Sequence, residues 1–177
     1  YYLGYTFDFG TRAGRITQAL GEQFAQGRVD REDMKAIQAD VKLLDAEVFT
    51  PYITGAFDRA LAPGAPAALA ALAADPRVAE AIGRLQAWNY TTPTGAATGY
   101  DAAIYSVWRS QAIRNGVDTT LGGLGLPTPG SGEAIKALRH LVERDGIGLS
   151  TVDFFGWAAA AGLPQPAQRR DYVMLKS

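Results

Sequence analysis

The chain has no cysteine, a single histidine, two methionines and a formal net charge of −1 over 177 residues. Without cysteine there is no disulfide framework, no thiolate nucleophile and no Cys-based zinc or iron–sulfur site. His140 alone cannot build a multi-histidine metal site, and the G-x-S-x-G elbow of a serine hydrolase triad is missing. Seventeen basic residues against eighteen acidic ones give no bulk attraction for nucleic acid or an anionic membrane surface. No apolar run nears the ~20 residues that a bilayer span needs. Residues 1–10, YYLGYTFDFG, carry neither the basic start nor the apolar core of a signal peptide. They open without Met, and their aromatics resemble the interior of a domain. A piece of a longer chain is the expectation.

What is present is helical spacing. A hydrophobic share of 47% with 20% charged residues is that of a globular protein, and the length fits one domain, 1–177. Ile16, Leu20 and Phe24 recur every fourth residue, with Gly27 as a stop. Asp30 caps the next helix with Asp33 at its third position, and Met34, Ile37, Val41, Leu44 and Val48 read as one sustained stripe. Pro51 breaks or kinks that helix, and Tyr52, Ile53, Phe57 and Leu61 open another. A short helix follows Pro66. Asp75-Pro76 opens one carrying Val78, Ile82, Leu85 and Trp88. After the loop NYTTPTGAATGYD, Ala103, Val107 and Ile113, with Tyr105 and Trp108, mark a helix ended by Gly116. Ser131 caps a helix through Ile135, Leu138 and Val142, Ser150 caps one reaching Gly162, and a last helix follows Pro166. Strand alternation appears only in YYLGYTFDF. The expected fold is all-α, an irregular orthogonal multi-helix bundle with at most a short N-terminal strand.

Candidate chemistry is sparse. LGGLGLPTPGSG, residues 121–132, lacks the Lys-Ser/Thr pair of a P-loop and follows no strand, so it reads as a plain loop. His140, between Lys136 and Glu143, reads as a surface residue. Asp30, Asp33, Asp40 and Asp45 invite a carboxylate cluster, but on one helix Asp33 and Asp40 stand about 10 Å apart. Caps and solvated charges are the plain alternative, and no metal site is assigned. Gln38 and Asp40 sit at the edge of the apolar stripe, where a bridge to neighbouring backbone is a structural role. Arg15 stands out. Thr11, Arg12, Gln18 and Ala19 occupy the positions three and four away, so no acid faces it along the helix. The helix start carries the positive end of the dipole. A carboxylate for Arg15 must come from a tertiary contact or a ligand, with a solvated arginine as the default.

Taken in order, these segments resemble the penicillin acylase family of amidohydrolases. Arg12 to Ile16 match an R-A-x-R-I helix, and Glu32 to Asp40 match E-D-M-x-x-I-Q-x-D. Leu85 to Trp88 match L-x-x-W, and Ala102 to Trp108 match A-x-x-x-x-x-W. The resemblance spans most of residues 1–115; residues 116–177 fit less distinctively. It implies that the chain is an internal fragment of the β subunit, a helical subdomain of a larger α+β N-terminal-nucleophile hydrolase lacking the αββα core. The parent would cleave an N-acyl amide, a penicillin side chain or similar, through an N-terminal serine whose free α-amino group acts as base.

On this resemblance the fragment holds no catalytic residue: Tyr1 is no such nucleophile, and no asparagine stands in the first fifteen residues as the oxyanion donor. Arg15 falls at the family arginine that organises charge at the substrate cleft. Gln38, Asp40 and Trp88 are scaffold markers. The parent binds calcium through ligands largely outside this segment, and the fragment is expected to hold no cofactor. Implied partners are the rest of the parent chain, its α subunit and a small amide substrate, in a periplasmic or secreted setting. Neither nucleic acid nor membrane is expected. An acyl-homoserine-lactone acylase fragment and a free-standing helical interaction module are the alternatives. Exposed Tyr1, Tyr2, Tyr5 and Phe7 would favour self-association.

Overall fold

A computed structural model describes residues 10–93 and 99–177. Over these residues the fold is an all-α multi-helix assembly, with no strand among them and two isolated antiparallel bridges, Lys42 with Thr91 and Ile147 with Asp153. The expected N-terminal strand and the aromatic patch at Tyr1, Tyr2, Tyr5 and Phe7 lie outside the described residues.

Helix α1 (Thr11–Gln26) ends at Gly27, whose N–H donates to the carbonyls of Gln23 and Phe24. Helix α2 (Arg31–Gln38) starts on a full capping box: Asp30 accepts from the N–H of Glu32 and Asp33, and Asp33 accepts from the N–H of Asp30. Helix α3 (Leu44–Leu61) follows, then α4 (Ala67–Ala73) and α5 (Pro76–Ala87), the last opened by Asp75 accepting from Arg77 N–H. Helix α6 (Tyr100–Ile113) runs through a π-helical turn (Arg114–Asp118) into α7 (Thr119–Gly123). Helix α8 (Ser131–Glu143), a 3₁₀ turn (Gly156–Ala161) and α9 (Pro166–Lys176) complete the described chain.

The core forms around α3, which packs against α9, α4, α5 and α1. Its buried Phe49, Ile53 and Ala56 meet Leu69 of α4, Ile82 and Leu85 of α5, and Val173 and Met174 of α9. An aromatic run crosses it: Trp88 to Tyr105, Tyr105 to Trp108 and Trp108 to Phe49, with centroids 5.6, 5.7 and 5.7 Å apart. Each such ring contributes about 1.5–3 kcal/mol through burial alone. Trp108 Nε1 also donates to the Met174 carbonyl at 2.8 Å, pinning α9 to α6.

Several sequence expectations are corrected. The stripe from Met34 to Val48 is not one helix. It is cut after Gln38 because the Asp40 side chain accepts from Lys42 N–H, and Val41 and Leu43 bond to Thr92 and Tyr90 instead of to helical neighbours. Met34 is correspondingly exposed. Pro51 does not break α3; its ring lies on the exposed side of the helix. The buried face of α6 is Ala102, Tyr105, Trp108 and Ala112, whereas Val107 is exposed. Gly116 ends no helix but lies buried, where an added Cβ would meet Leu138 and Phe155. Ser131 makes no capping bond, the N-cap position being Gly130. Ser150 opens no helix either: backbone bonds from Gly148 to Val152 and from Thr151 to Gly148 close a tight turn there, and the helical turn starts only at Gly156.

Candidate functional site

The close packing of α1 on the start of α3 sets up the site. A Cβ on Gly14 would come within 3.0 Å of Leu44 Cδ2, so the glycine makes room for the Leu44 side chain against α1. This brings Arg15, next along α1, onto the non-helical segment 40–43 between α2 and α3. Arg15 donates from Nε to Asp40 Oδ1 at 3.1 Å and from Nη2 to Oδ2 at 2.8 Å. Such a two-pronged, charge-assisted contact fixes the guanidinium in plane and in direction. Asp40 also accepts from Lys42 N–H at 3.0 Å, and Lys42 Nζ reaches Glu47 at 3.2 Å. The hydrogen bonds from Arg15 hold the Asp40 carboxyl below the usual carboxylate range, against the opposing effect of burial. The same pairing raises the Arg15 guanidinium.

The carboxylate that Arg15 lacks along its own helix is therefore Asp40, supplied from another element. The default of a solvated arginine is corrected: its side chain is only 16% exposed. Its third nitrogen, Nη1, is buried, makes no hydrogen bond to a described residue and stands 3.6 Å from Glu22 Oε1. The first turn of α1 carries no acidic residue.

Arg15 and Asp40 line an open cavity of about 390 Å³, bordered by α1, the 40–45 segment, Thr92 and Arg109. Its far wall holds a second pair, Arg109 Nη1 donating to the buried Asp45 at 3.1 Å. Tyr105 lies beneath with a fully buried phenol. Burial first, and the neighbouring Asp45 charge second, push that phenol above its ordinary range, so it stays protonated. Trp88 serves the cavity from behind. Its Nε1 donates to the Thr91 carbonyl at 2.9 Å and its ring meets Tyr90 edge-on, fixing the 90–92 turn that bonds back to Val41 and Leu43. Tyr90 holds φ 65, a left-handed conformation unusual for a non-glycine residue, in that same turn. Gln38, at the last position of α2, is exposed and makes no side-chain hydrogen bond to a described residue.

Of the residues singled out from the sequence, Arg15 and Asp40 come together, Trp88 supports them indirectly, and Gln38 stands apart. Arg109 and its pairing with Asp45 were missed, because a contact across 64 residues leaves no periodic signal. His140 is on the surface, 3.7 Å from Glu143. A larger cavity of about 940 Å³ lies between α5, α6 and the end of α9, but it is mostly apolar and holds neither Arg15 nor Asp40. Among the described residues no group of three His, Cys, Asp or Glu side chains could hold a metal, so no calcium site is assigned to them. No helix among them is long and apolar enough to cross a membrane.

The family model that matches the chain is described as penicillin amidase and covers residues 1–176. No curated protein and no solved structure matches it.

Proposed function

The chain belongs to the penicillin amidase family, and we propose that it is the helical part of a larger amidohydrolase that cleaves an N-acyl amide, a penicillin side chain or similar. The observation that carries this is the Arg15–Asp40 pair at the wall of a small cavity. An arginine held in one orientation acts on developing charge without reorganising, which is how fixed cations and dipoles lower the barrier to acyl transfer. In this proposal Arg15 orders the charge at the edge of the cleft, and Asp40 fixes its plane and direction. The nucleophile is a serine at the start of the mature β subunit, outside these 177 residues. Its α-amino group, with an ordinary pKa of ~7.7–8.0, takes the hydroxyl proton as the oxygen attacks the amide carbonyl. That proton passes to the leaving amine as the C–N bond breaks, and water then attacks the acyl-serine, releasing the acid and restoring the hydroxyl. The fragment alone is inactive, and its partners are the rest of the parent chain and the α subunit, in a periplasmic or secreted setting.

The test is to express the whole encoding reading frame beside the 177-residue chain and to follow amine release from a chromogenic N-acyl amide. Turnover by the longer product and none by the chain alone is expected. Hydrolysis by the chain alone, or none by the longer product, would overturn the proposal. An acyl-homoserine lactone in the same assay separates the alternative substrate class.

A further inference from the structure

We propose that the cavity beside Arg15 binds a small carboxylic acid, and that Arg109, steadied by Asp45, is the residue that reads the carboxylate. Four cations line the cavity, Arg12, Arg15, Lys42 and Arg109, against two carboxylates, Asp40 and Asp45. Both oxygens of Asp40 are taken by Arg15, and Lys42 Nζ is turned to Glu47. Arg12 is exposed and makes no ion pair with a described residue, and Arg15 Nη1 is a buried donor that hydrogen-bonds to none of them, its nearest carboxylate being Glu22 Oε1 at 3.6 Å. Buried donors in folded proteins find acceptors as a rule. The cavity thus has donors in excess of acceptors.

The edge geometry singles out Arg109. In Arg15, Arg59, Arg77 and Arg84 it is the Nε–Nη2 edge that donates to a carboxylate. Arg109 donates from Nη1 alone, at 3.1 Å to Asp45 Oδ2, so its Nε–Nη2 edge faces no acceptor among the described residues. Asp45 is 6% exposed and anchored at the start of α3, a fixed post that orients the guanidinium, and the Arg109 side chain is 32% exposed, so its other edge is open to solvent and to a guest. Two parallel N–H donors match the two oxygens of a carboxylate, and an amide offers only one. Ile16, Val41 and Leu44 line the rest of the space, giving an apolar wall for the body of the acid. A volume of about 390 Å³ suits a small molecule rather than a polymer. The inference goes beyond hydrolysis, since the chain itself binds the acid whether or not an amide is cleaved.

Isothermal titration of the 177-residue chain with hexanoate, and with hexanamide as its neutral twin, tests the site. Hexanoate is expected to bind at least about tenfold more tightly than hexanamide, and Arg109→Gln to lose at least about tenfold of that affinity. Arg109→Lys should restore only part, because an ammonium keeps the charge without the fork. Equal binding of the two probes, no binding of hexanoate, or wild-type affinity in Arg109→Gln would each overturn it. If circular dichroism shows that Arg109→Gln does not fold, NMR of the wild-type chain carries the test. The Arg109 Nε–H resonance must move on adding hexanoate, and an unmoved resonance sinks the proposal. Failure here leaves the hydrolytic proposal standing, because that assay follows amide cleavage by the longer chain.

Discussion

Arg15 and Asp40, 25 residues apart in sequence, close a two-pronged ion pair at 2.8 and 3.1 Å that ties the first helix to the non-helical segment before α3. The pair is partly buried, and Asp40 also terminates α2 by accepting from Lys42 N–H. Asp40→Asn keeps one acceptor for that turn but removes the charge that Arg15 faces. A loss of about 1–3 kcal/mol follows from breaking a charged hydrogen-bonded contact. Urea unfolding at neutral pH measures it, and an unchanged midpoint would show that the contact is merely a solvated surface pair.

The same pair fixes the sign of an acid effect. Asp40 is held below its ordinary value by Arg15, so its contribution is complete above the unfolded pKa, about 3.9. It is lost as pH falls through the lower folded value. The stability gap between wild type and Asp40→Asn should therefore be widest at neutral pH and close as the solution is taken well below pH ~4. Asp75, held down to about 2 chiefly by hydrogen bonds from Arg77, titrates in both proteins and cancels from the comparison. A gap that stays constant through the acid range would contradict the linkage.

How much of this was legible beforehand follows from which forces are local. The capping box at Asp30 and Asp33 and the Asp75-Pro76 start were readable because caps act within a few residues. The absence of an acid near Arg15 showed that a carboxylate had to come from elsewhere, although not that it would be Asp40. The cut between α2 and α3 was hidden, because Met34, Ile37, Val41, Leu44 and Val48 fit a helical stripe whether or not the chain stays helical. What decides there is the Asp40 side chain accepting from Lys42 N–H, together with a turn fifty residues on that takes Val41 and Leu43. Arg109 was invisible for the same reason: its role comes wholly from a tertiary neighbour.

Gly116, Gly146 and Gly162 separate space from backbone strain in one series. At Gly162, φ is +78 with nothing within 4 Å of an added Cβ, so alanine costs only the left-handed penalty, about 1–2 kcal/mol. At Gly116 the backbone is ordinary, but the Cβ would stand 2.9 Å from Leu138 Cδ1 and 3.1 Å from Phe155 Cε1, an overpacking cost of about 1–3 kcal/mol. Gly146 combines both, with φ +88 and a Cβ 2.3 Å from Phe155 Cδ2. Gly146→Ala should therefore be the most damaging of the three in chemical denaturation. If Gly162→Ala proves as harmful as Gly146→Ala, packing against Phe155 is not the source of the cost.

Asp171 anchors α9 through ion pairs as Trp108 anchors it through its indole N–H on the Met174 carbonyl. Its carboxylate is 4% exposed and accepts from Arg59 Nε at 2.6 Å and Nη2 at 2.8 Å, and from Arg170 at 3.0 and 3.2 Å. Arg170 bonds in turn to Asp145, joining α9 to the turn after α8. Removing the buried anion leaves two guanidinium groups facing each other without their shared counter-charge. Breaking a buried pair in this way costs about 3–5 kcal/mol. Arg59 is half exposed and can return to water, which puts Asp171→Asn nearer the lower end. Arg59→Gln, on the exposed side of the pair, should cost less. The double variant should be less damaged than the sum of the two, because removing Arg59 relieves part of the repulsion that Asp171→Asn creates. A double-mutant cycle in urea measures that coupling. Additivity to within about 0.5 kcal/mol would mean that Arg59 and Asp171 act independently and that α9 is held by Trp108 and its apolar face alone.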